Sequence, residues 1–481
     1  MPLRQRPVAP IWVGGRPQHG EDEFTVTHPW NGSPVGATSW ATPGQVETAV
    51  RAAVAVAPDL AATSALERSA ALEYVRRRIE EESETLAELI TAESGKPIMW
   101  SRVEVSRAAS TFRWAAEEVR RLSGTTQRLD TDPAGAGRMA FTRRIARGPV
   151  LGITPFNFPL NLVAHKVAPA LAAGCPVIVK PAPATPLSAL QLASFLSETK
   201  LPHESVSVLP ASVELTKRMV SDPRLPVVSF TGSVPVGYDI QQAVPGKHVT
   251  LELGGNAAAL VCADYSRLDW AVDRIATFGN YQAGQSCISV QRVYAESKIF
   301  DEFTSALVEK VQGLKGGDPF DPATQVGPLI NVQSAQRVHA WVEEAVAEGA
   351  EVLAGGGVPD GADMAPTVLT RVPKKSKVVA EEIFGPVLVV EEVDDVEAGL
   401  SAINESKFGL QAGVFTDSLA VAMRAHRELE VGGVVVGDVP SFRADQMPYG
   451  GVKNSGVGRE GVHSAIEDYT YERVLVLPDV F

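Results

Sequence analysis

Three residues have side chains and surroundings that suit nucleophilic and acid–base chemistry. Cys287 lies in GQSC, where polar neighbours place it on a loop, and a nucleophilic thiolate needs such exposure. Glu252 interrupts the apolar segment VTLEL, where burial would raise the pKa of its carboxyl group towards that of a general base. Asn157 stands between aromatic residues and prolines in PFNFP, where its amide could donate a hydrogen bond to an oxyanion. Together these residues could supply a nucleophile, a base and an oxyanion donor.

Two further features suit a ligand that carries phosphate. The apolar segment 227–230 runs into Thr231, Gly232 and Ser233 just before a predicted helix, and backbone N–H groups at a helix start suit a pyrophosphate. The segment lacks a G-x-G-x-x-G pattern, and most glycine turns after strands are only turns. Lys180 ends the apolar segment VIVK, where it could contact a ribose or phosphate, or equally be a solvated lysine at a strand end.

From residue 149 onward, short apolar segments alternate with helical ones, and this pattern predicts the elements that position these residues. The predicted buried strands are PVLGIT, PVIVKP, SVSVLP, PVVSFTG, VTLEL and AAALVCA, with SALQLASFLSE and VELTKRMVSD as helices between them. This alternation is typical of a doubly wound parallel sheet, and a second α/β series follows Cys287. Residues 43–95 carry helical periodicity, whereas the polar stretch 125–149 is predicted to leave the main body in an extended conformation.

The composition is that of a globular protein and limits the classes of partner. The chain has 481 residues, enough for two or three domains, with 45% hydrophobic and 21% charged residues. A net charge of −13 makes nucleic acid and anionic membranes poor partners, although a local basic pocket can still bind a small anion. No apolar run reaches the roughly 18 residues of a membrane span. Three cysteines are too few for a disulfide framework or a zinc cluster, so we expect a cytoplasmic protein without a metal site.

Seven segments, in this order and at this spacing, resemble the motifs of the aldehyde dehydrogenase superfamily. They are PFNFP (155–159), VKPAPATP (179–186), SFTGSVPVG (229–237), LELGG (251–255), GQSC (284–287), EEIFGP (381–386) and PYGGVKNSGVGREG (448–461). Weaker likeness extends over almost the whole chain, and segments 287–292 and 438–451 resemble the lactaldehyde and phosphonate-aldehyde branch. The resemblance implies an α/β fold with a Rossmann-type parallel-sheet cofactor domain, a second α/β catalytic domain and a β oligomerisation arm.

The resemblance also implies the reaction and the roles of three residues in it. The chain would oxidise an aldehyde to a carboxylic acid with NAD or NADP as the hydride acceptor. Cys287 would attack the aldehyde as a thiolate, while Asn157 and the backbone N–H of Cys287 would stabilise the oxyanion of the hemithioacetal. Hydride transfer would leave a thioester, which water activated by Glu252 would hydrolyse.

The same resemblance implies which residues hold the cofactor. Lys180 would contact the adenosine ribose, Ser233 the pyrophosphate, and Glu382 with Phe384 the ribose and ring of the nicotinamide half. The other implied contacts are Ile153, Thr154, Phe156, Gly232 and Leu253. Pro183 stands where many NAD-preferring relatives have a glutamate that bonds the ribose hydroxyls, so the sequence leaves both NAD and NADP open.

Family geometry places Arg107, His165 and Arg443 at the substrate tunnel. Basic groups at these positions would suit a short aldehyde with a carboxylate, phosphonate, sulfonate or phosphate tail, because guanidinium binds such anions through two hydrogen bonds. The alternative is that Arg107 pairs with a neighbouring glutamate and that Arg443 is a solvated loop residue.

By likeness, residues 1–122 and 147–253 form the cofactor-binding domain and 254–454 the catalytic domain. Residues 123–146 and 455–481 would bridge subunits of a homodimer or homotetramer, as strands donated to a partner. Two other functions stay open: an acyl-CoA-forming enzyme, and a binding or structural protein that kept the fold without the chemistry. The presence of Glu252 favours hydrolysis over transfer to CoA, and the presence of all three catalytic residues disfavours the inactive protein.

Overall fold

Residues 8–478 are described by the computed structural model, which contains two large sheets, a three-stranded sheet and two strand pairs in that span. The strands are β1 (Ile11–Val13), β2 (Arg16–Gln18), β3 (Glu23–Thr27), β4 (Pro34–Ser39), β5 (Thr126–Arg128), β6 (Arg138–Ala146), β7 (Val150–Ile153), β8 (Val177–Lys180), β9 (Val206–Val208), β10 (Val227–Thr231), β11 (His248–Glu252), β12 (Ala258–Val261), β13 (Arg292–Glu296), β14 (Glu351–Ala354), β15 (Thr367–Thr370), β16 (Val387–Val393), β17 (Phe408–Gly409), β18 (Gln411–Phe415), β19 (Gly433–Val436), β20 (Val452–Lys453), β21 (Gly456–Val457) and β22 (Thr470–Pro478). The helices are α1 (Pro43–Ala62), α2 (Ala65–Glu81), α3 (Ser83–Ser94), α4 (Ile98–Glu118), α5 (Asn161–Ala173), α6 (Leu187–Ser197), α7 (Val213–Ser221), α8 (Val234–Ala243), α9 (Leu268–Asn280), α10 (Phe300–Gln312), α11 (Val332–Ala347), α12 (Lys377–Ala380), α13 (Val396–Asn404), α14 (Leu419–Glu428) and α15 (Val462–Asp468).

The first large sheet has the strand order β2-β1-β9-β8-β7-β10-β11-β21 and is parallel from β9 to β11. Alternate strand residues pack on opposite layers of helices, because successive side chains of a strand point to opposite faces. Val150 and Val177 join a core with α2, α4, α5 and α6, whereas Leu151 and Ile178 join a core with α1, α7 and α8. The predicted doubly wound parallel sheet is confirmed.

The second large sheet has the order β14-β15-β16-β13-β12-β18-β19 and is parallel from β15 to β19. All of its strands come after residue 257, and all strands of the first sheet except β21 come before it. Helices α9 and α10 pack on one face around Phe303, and α13 and α14 pack on another core around Leu400. The second α/β series expected after Cys287 is therefore present, and it includes β12, which lies before that residue.

The extended excursion and the end of the described chain form a separate three-stranded sheet of order β22-β6-β5. β6 and β22 pair antiparallel along their whole length, from Thr470 opposite Ala146 to Pro478 opposite Arg138. The two segments that were expected to be donated to a partner thus pair with each other inside one chain. Residues 479–481, the end of the apolar segment VLVLPDVF, lie outside the described residues.

The relative position of the two sheets brings distant parts of the sequence together. β7, β10 and β11 are parallel neighbours, so the segments that follow Ile153, Thr231 and Glu252 meet at one edge of the first sheet. Cys287 lies on the loop that leads into β13 of the second sheet. The carboxyl edge of the first sheet therefore faces a loop of the second, and the candidate site lies there.

The described residues contain three free cysteines, of which Cys175 and Cys262 are buried. Among residues 8–478, no single helix is long and apolar enough to cross a membrane; α1 and α2 meet those criteria only as a pair bent by 115°. Within the same residues, no group of three His, Cys, Asp or Glu side chains is arranged to hold a metal ion.

Candidate active site

A cavity of about 320 Å³ lies where the two sheets meet, and most of the predicted site residues line it. Those that do are Asn157, Glu252, Cys287, Phe156, Gly232, Ser233, Leu253, Glu382, Phe384, Arg107 and Arg443. Larger open clefts of about 880 and 760 Å³ elsewhere on the molecule contain none of the predicted residues. The convergence of residues from positions 107 to 443 on one cavity is what a catalytic site requires.

Cys287 follows a tight turn, Tyr281–Gly284, in which Gln282 and Ala283 adopt left-handed backbone conformations with φ of 52° and 54°. Such conformations in residues other than glycine are costly and cluster at functional sites. Burial raises the pKa of the Cys287 thiol to about 12, so the side chain is a thiol in this state. Its Sγ lies 3.0 Å from the phenol oxygen of Tyr449, a contact the sequence did not predict.

Asn157 lies against the loop that carries Cys287. Its Nδ2 donates a hydrogen bond to the carbonyl oxygen of Gln285 at 3.0 Å, two residues before Cys287. An amide nitrogen carries two N–H groups, so one N–H remains for a ligand in the cavity. The loop that carries Cys287 therefore also holds the Asn157 side chain in place.

Glu252 ends β11 and is buried, and neither of its carboxyl oxygens has a hydrogen-bond partner in the described part of the chain. Burial and the nearby carboxylate of Glu460 raise the pKa of Glu252 well above its usual value. A buried carboxyl group without partners is costly, so its retention in the cavity wall favours a chemical role.

Glu460 has the opposite electrostatic environment from Glu252. Its carboxylate lies 3.1 Å from the ammonium of Lys166 and 3.2 Å from the guanidinium of Arg443. These cations lower the pKa of Glu460, whose charge is paired although it is fully buried. Sequence reasoning missed both Lys166 and Glu460, although Lys166 follows the predicted His165 and Glu460 lies in the quoted GREG motif.

Two of the three residues predicted for the substrate tunnel, Arg107 and His165, contact Asp445. Arg107 Nη2 donates to Asp445 Oδ1 at 2.9 Å, and His165 Nε2 lies 3.3 Å from the same oxygen. His165 is buried behind the cavity and does not line it, and burial together with the charge of Arg443 lowers the pKa of its imidazole. The partner of Arg107 is thus an aspartate from a distant loop, rather than a neighbouring glutamate.

Arg443 is buried in the cavity wall, so the alternative of a solvated loop residue is wrong. Its side chain is 6% exposed, and one nitrogen, Nη2, lies 3.2 Å from Glu460. Its Nε is buried and has no hydrogen-bond partner within residues 8–478. A buried guanidinium with an unused donor favours the binding of an anionic group.

The residues predicted for the nicotinamide end surround one part of the cavity. The rings of Phe156 and Phe384 meet edge to face, with centroids 5.9 Å apart. Gly255 N donates to Glu382 Oε1 at 3.0 Å, and burial raises the pKa of that carboxyl group to about 7. A Cβ on Gly255 would lie 2.5 Å from the carbonyl oxygen of Cys287, so this position admits only glycine.

The residues predicted for the other half of the cofactor lie at the strand ends beside the cavity. Ser233 is the cap residue of α8, but its side chain makes no capping hydrogen bond. Ile153, Thr154 and Lys180 do not line the cavity and lie at the ends of β7 and β8. Burial lowers the pKa of the Lys180 ammonium, which has no hydrogen-bond or ion-pair partner within the described residues. A free helix N-terminus and an unpaired ammonium at one sheet edge fit the phosphate and ribose groups of a dinucleotide.

The sequence pattern of the aldehyde dehydrogenase family matches residues 16–475. The chain is 41% identical to 3-sulfolactaldehyde dehydrogenase from Priestia aryabhattai over 468 aligned residues. The alignment covers 97% of each protein. Its structure is similar, with a TM-score of 0.97, to aldehyde dehydrogenase 21 from Physcomitrella patens in complex with the reaction product succinate, at 41% identity over 99% of each chain.

A second similar structure contains a cofactor. Glyceraldehyde-3-phosphate dehydrogenase from Methanocaldococcus jannaschii, complexed with NADP, matches with a TM-score of 0.90 and 33% identity. The match covers 95% of this chain and 99% of that one. Motifs, fold and cavity agree with these matches over nearly the full length, and the chain belongs to the aldehyde dehydrogenase family.

Proposed function

We propose that this enzyme oxidises a short aldehyde with an anionic tail to the corresponding carboxylic acid, with NAD or NADP as the hydride acceptor. The observation that carries the proposal is the convergence of Cys287, Asn157 and Glu252 on one cavity, with both oxygens of Glu252 buried and without partners among residues 8–478. An assay of reduced-cofactor absorbance would cross both cofactors with plain, hydroxylated, carboxylated, sulfonated and phosphonylated aldehydes. Clear preference for acid-tailed aldehydes supports the proposal, and preference for plain ones contradicts it.

In the first half of the reaction, the thiol of Cys287 releases its proton to solvent, and the sulfur forms a bond to the aldehyde carbon. The electron pair of the carbonyl π bond moves to oxygen, where an N–H of Asn157 and the backbone N–H of Cys287 stabilise the negative charge. The bound nicotinamide cofactor supplies the acceptor for the hydride that leaves this carbon. When the C–H bond breaks, the carbonyl forms again as a thioester on Cys287.

In the second half, water attacks the thioester carbon while Glu252 accepts a proton from that water. The C–S bond then breaks, and sulfur leaves as a thiolate while the acid is released. A base whose pKa is raised by burial lies closer to the working pH, which makes proton transfer from water more effective.

The surface beside Lys180 supports the use of NADP as well as NAD. Pro183 is exposed on the loop after β8 and has neither a carboxylate to bond ribose hydroxyls nor a charge to repel a 2′-phosphate. The unpaired ammonium of Lys180 could attract such a phosphate. The enzyme from Methanocaldococcus jannaschii, which resembles this chain, is complexed with NADP. We therefore expect turnover with NADP as well as with NAD.

Two arginines in the cavity wall support the proposal that the substrate has an anionic tail. Arg443 is buried in the cavity wall with an unused Nε donor, and Arg107 lines the same cavity. In the structure, Arg443 is paired with Glu460 and Arg107 with Asp445. A relative at 41% identity is a 3-sulfolactaldehyde dehydrogenase, and a structure at 41% identity holds succinate as its product. Both facts favour a short substrate with an acidic group.

Replacing Arg443 by methionine should reduce selectivity for acid-tailed aldehydes. Removing the charge that faces the substrate anion costs about 2–5 kcal/mol, or roughly 30-fold to several thousandfold in kcat/KM. The measurement is the ratio of kcat/KM for a carboxylated aldehyde to that for propanal. Arg443→Lys keeps the positive charge and should retain most of this ratio. An equal loss with both aldehydes would contradict the proposal and would assign Arg443 only to holding Glu460.

Two other functions give different outcomes in the same assay. An acyl-CoA-forming enzyme would need added CoA for turnover, and the buried, unpaired Glu252 favours hydrolysis instead. A protein that kept only the fold would show no turnover and an inert Cys287 under thiol labelling.

We further propose that the chain divides into the domains given above and assembles into a homo-oligomer in the cytoplasm. The two large sheets support a boundary near residues 253–254, with 123–146 and the segment after 454 apart from the catalytic sheet. β22 is an edge strand on which Val474, Leu475, Val476 and Leu477 are exposed, and a second copy of the chain would cover them.

Changing Leu475 to aspartate should therefore lower the mass that light scattering measures in solution, because it places a charge on the exposed apolar edge. Leu66→Asp is the matched control, since Leu66 is an exposed leucine on α2, far from β22 in the sequence. If Leu475→Asp keeps the wild-type mass, or if the wild type is a monomer, this interface is wrong.

A further inference from the structure

The phenol of Tyr449 contacts the sulfur of Cys287, and the mechanism above does not use it. Its oxygen lies 3.0 Å from Sγ, the side chain is buried, and it lines the active-site cavity. The two residues are 162 positions apart and belong to different loops. A contact of this length between sulfur and oxygen is a hydrogen bond.

Tyr449 is held rigidly in this position from two sides. Its backbone exchanges two hydrogen bonds with Glu460, with N to O distances of 2.9 and 2.6 Å. The guanidinium of Arg443 lies 3.8 Å from the centre of the phenol ring and is itself paired with Glu460. The same loop thus fixes both the backbone of Tyr449 and the cation on its ring.

We propose that Tyr449 donates a hydrogen bond to the thiolate of Cys287 and that Arg443, stacked on its ring, strengthens this donor. The inference rests on Cys287 being the nucleophile of the proposed function. The proposal adds no covalent step, because the phenol keeps its proton throughout. Only the group that accepts the hydrogen bond from the phenol changes as the sulfur gains or loses charge.

The direction of the hydrogen bond follows from the chemistry of the two groups. A thiolate has no proton to donate, so the phenol must be the donor whenever sulfur is charged. Burial and the nearby sulfur raise the pKa of Tyr449 well above its usual value, so the phenol keeps its proton at every working pH. The cation on the ring face draws electron density from the phenol and makes its O–H a better donor.

The other charged groups around Cys287 show why such a donor is needed. Burial raises the pKa of the thiol, and the carboxyl groups of Glu382 and Glu252 on the facing segments raise it further. Tyr449 and Arg443 are the neighbours that lower it. Arg443 is also paired with Glu460, whereas the phenol contacts the sulfur directly. The hydrogen bond from the phenol therefore favours the charged form of the sulfur.

The test measures how fast iodoacetamide alkylates Cys287 between pH 6.5 and 9.5 in the full-length enzyme, without cofactor or aldehyde. Tyr449→Phe removes one oxygen and should raise the pKa of the thiol by about one to two units. A more basic thiolate is also more nucleophilic, which offsets about half of this effect on a logarithmic scale. We therefore expect alkylation about three- to tenfold slower than in the wild type at each pH.

Tyr281→Phe is the matched control, because it removes the same oxygen from the same cavity. The phenol of Tyr281 donates to Ser286 Oγ at 2.7 Å and not to the sulfur, so its loss should leave the alkylation rate unchanged. Cys287→Ser defines the background from Cys175 and Cys262, and thermal melting shows that each variant is folded.

Two results would refute Tyr449 as the donor, and a third would refute Cys287 as the nucleophile. A Tyr449→Phe rate within twofold of the wild type would refute the donor. An equal slowing in Tyr281→Phe would also refute it, because the effect would then come from a general disturbance of the loop. If the wild type were labelled no faster than Cys287→Ser, Cys287 would not be the reactive thiol, and the proposed function itself would fail.

Discussion

Replacing Cys287 by alanine is expected to abolish aldehyde oxidation, with a loss in kcat/KM of about 10⁴-fold or more. Cys287 is the cysteine that lines the cavity, whereas the other two are buried elsewhere. Without a sulfur nucleophile there is no covalent adduct from which hydride can leave, so the loss falls on the chemical step rather than on binding. The measurement is reduced-cofactor absorbance in steady state, with cofactor binding followed separately by fluorescence titration.

Cys262→Ala is the control for the loss of a cysteine as such. Burial raises the pKa of Cys262 to about 12, and its side chain packs in the core of the second sheet, so this variant should keep wild-type turnover. The outcome that would contradict the assignment is a Cys287→Ala enzyme that still oxidises its aldehyde at more than a few per cent of the wild-type rate. Unchanged cofactor binding in Cys287→Ala would show that the cavity is intact.

Replacing Glu252 by glutamine is expected to lower kcat by about 10²- to 10⁴-fold while leaving one turnover intact. Hydride transfer precedes the step that needs the base, so each active site should still reduce one cofactor and then stop as a thioester. Rapid mixing would show this burst, and the mass of the intact protein would show the acyl group on Cys287. A glutamine of the same shape should not lower the melting temperature, because the carboxyl group of Glu252 has no partners to lose in the described residues.

The pH dependence provides an independent check of the same role. A base whose pKa is raised is protonated and inactive at low pH, and it gains activity as the pH rises through that pKa. Deacylation by the wild type should therefore speed up with pH over a range above that of an ordinary glutamate, and Glu252→Gln should lose this rise. A wild-type steady-state rate in Glu252→Gln, or a burst that is absent, would contradict the assignment of the base.

The environments of Glu252 and Glu460 explain how one cavity can hold two buried carboxyl groups. Glu460 lies between Lys166 and Arg443 and keeps its charge, which places a negative group near Glu252 and disfavours a second one. Pairs of titratable groups whose pKa values are pushed apart in this way are typical of acid–base sites.

Local patterns in the sequence were sufficient to predict the fold class, the family and the residues whose side chains suit catalysis. Strand and helix periodicity is local, so the six strands predicted from PVLGIT to AAALVCA could be recognised from short windows, and all six are present. Glu252 and Asn157 stood out because a polar side chain in an apolar or aromatic segment is costly unless it is paired or used, and Cys287 stood out because polar neighbours place it on a loop. The motifs around them then identified the family from their order and spacing.

Which side chains touch depends on tertiary packing, because the contacts of His165 with Asp445 and of Tyr449 with Cys287 join residues 280 and 162 positions apart. The sequence placed His165 at the substrate tunnel, but packing of α5 buries it behind the cavity, against Asp445. Arg443 could have been solvated, and the ion pair with Glu460 and the ring of Tyr449 hold it in the wall instead. The contact between Tyr449 and Cys287 has no local pattern at all, since it depends on how two sheets and their loops dock, which periodicity within a segment does not encode.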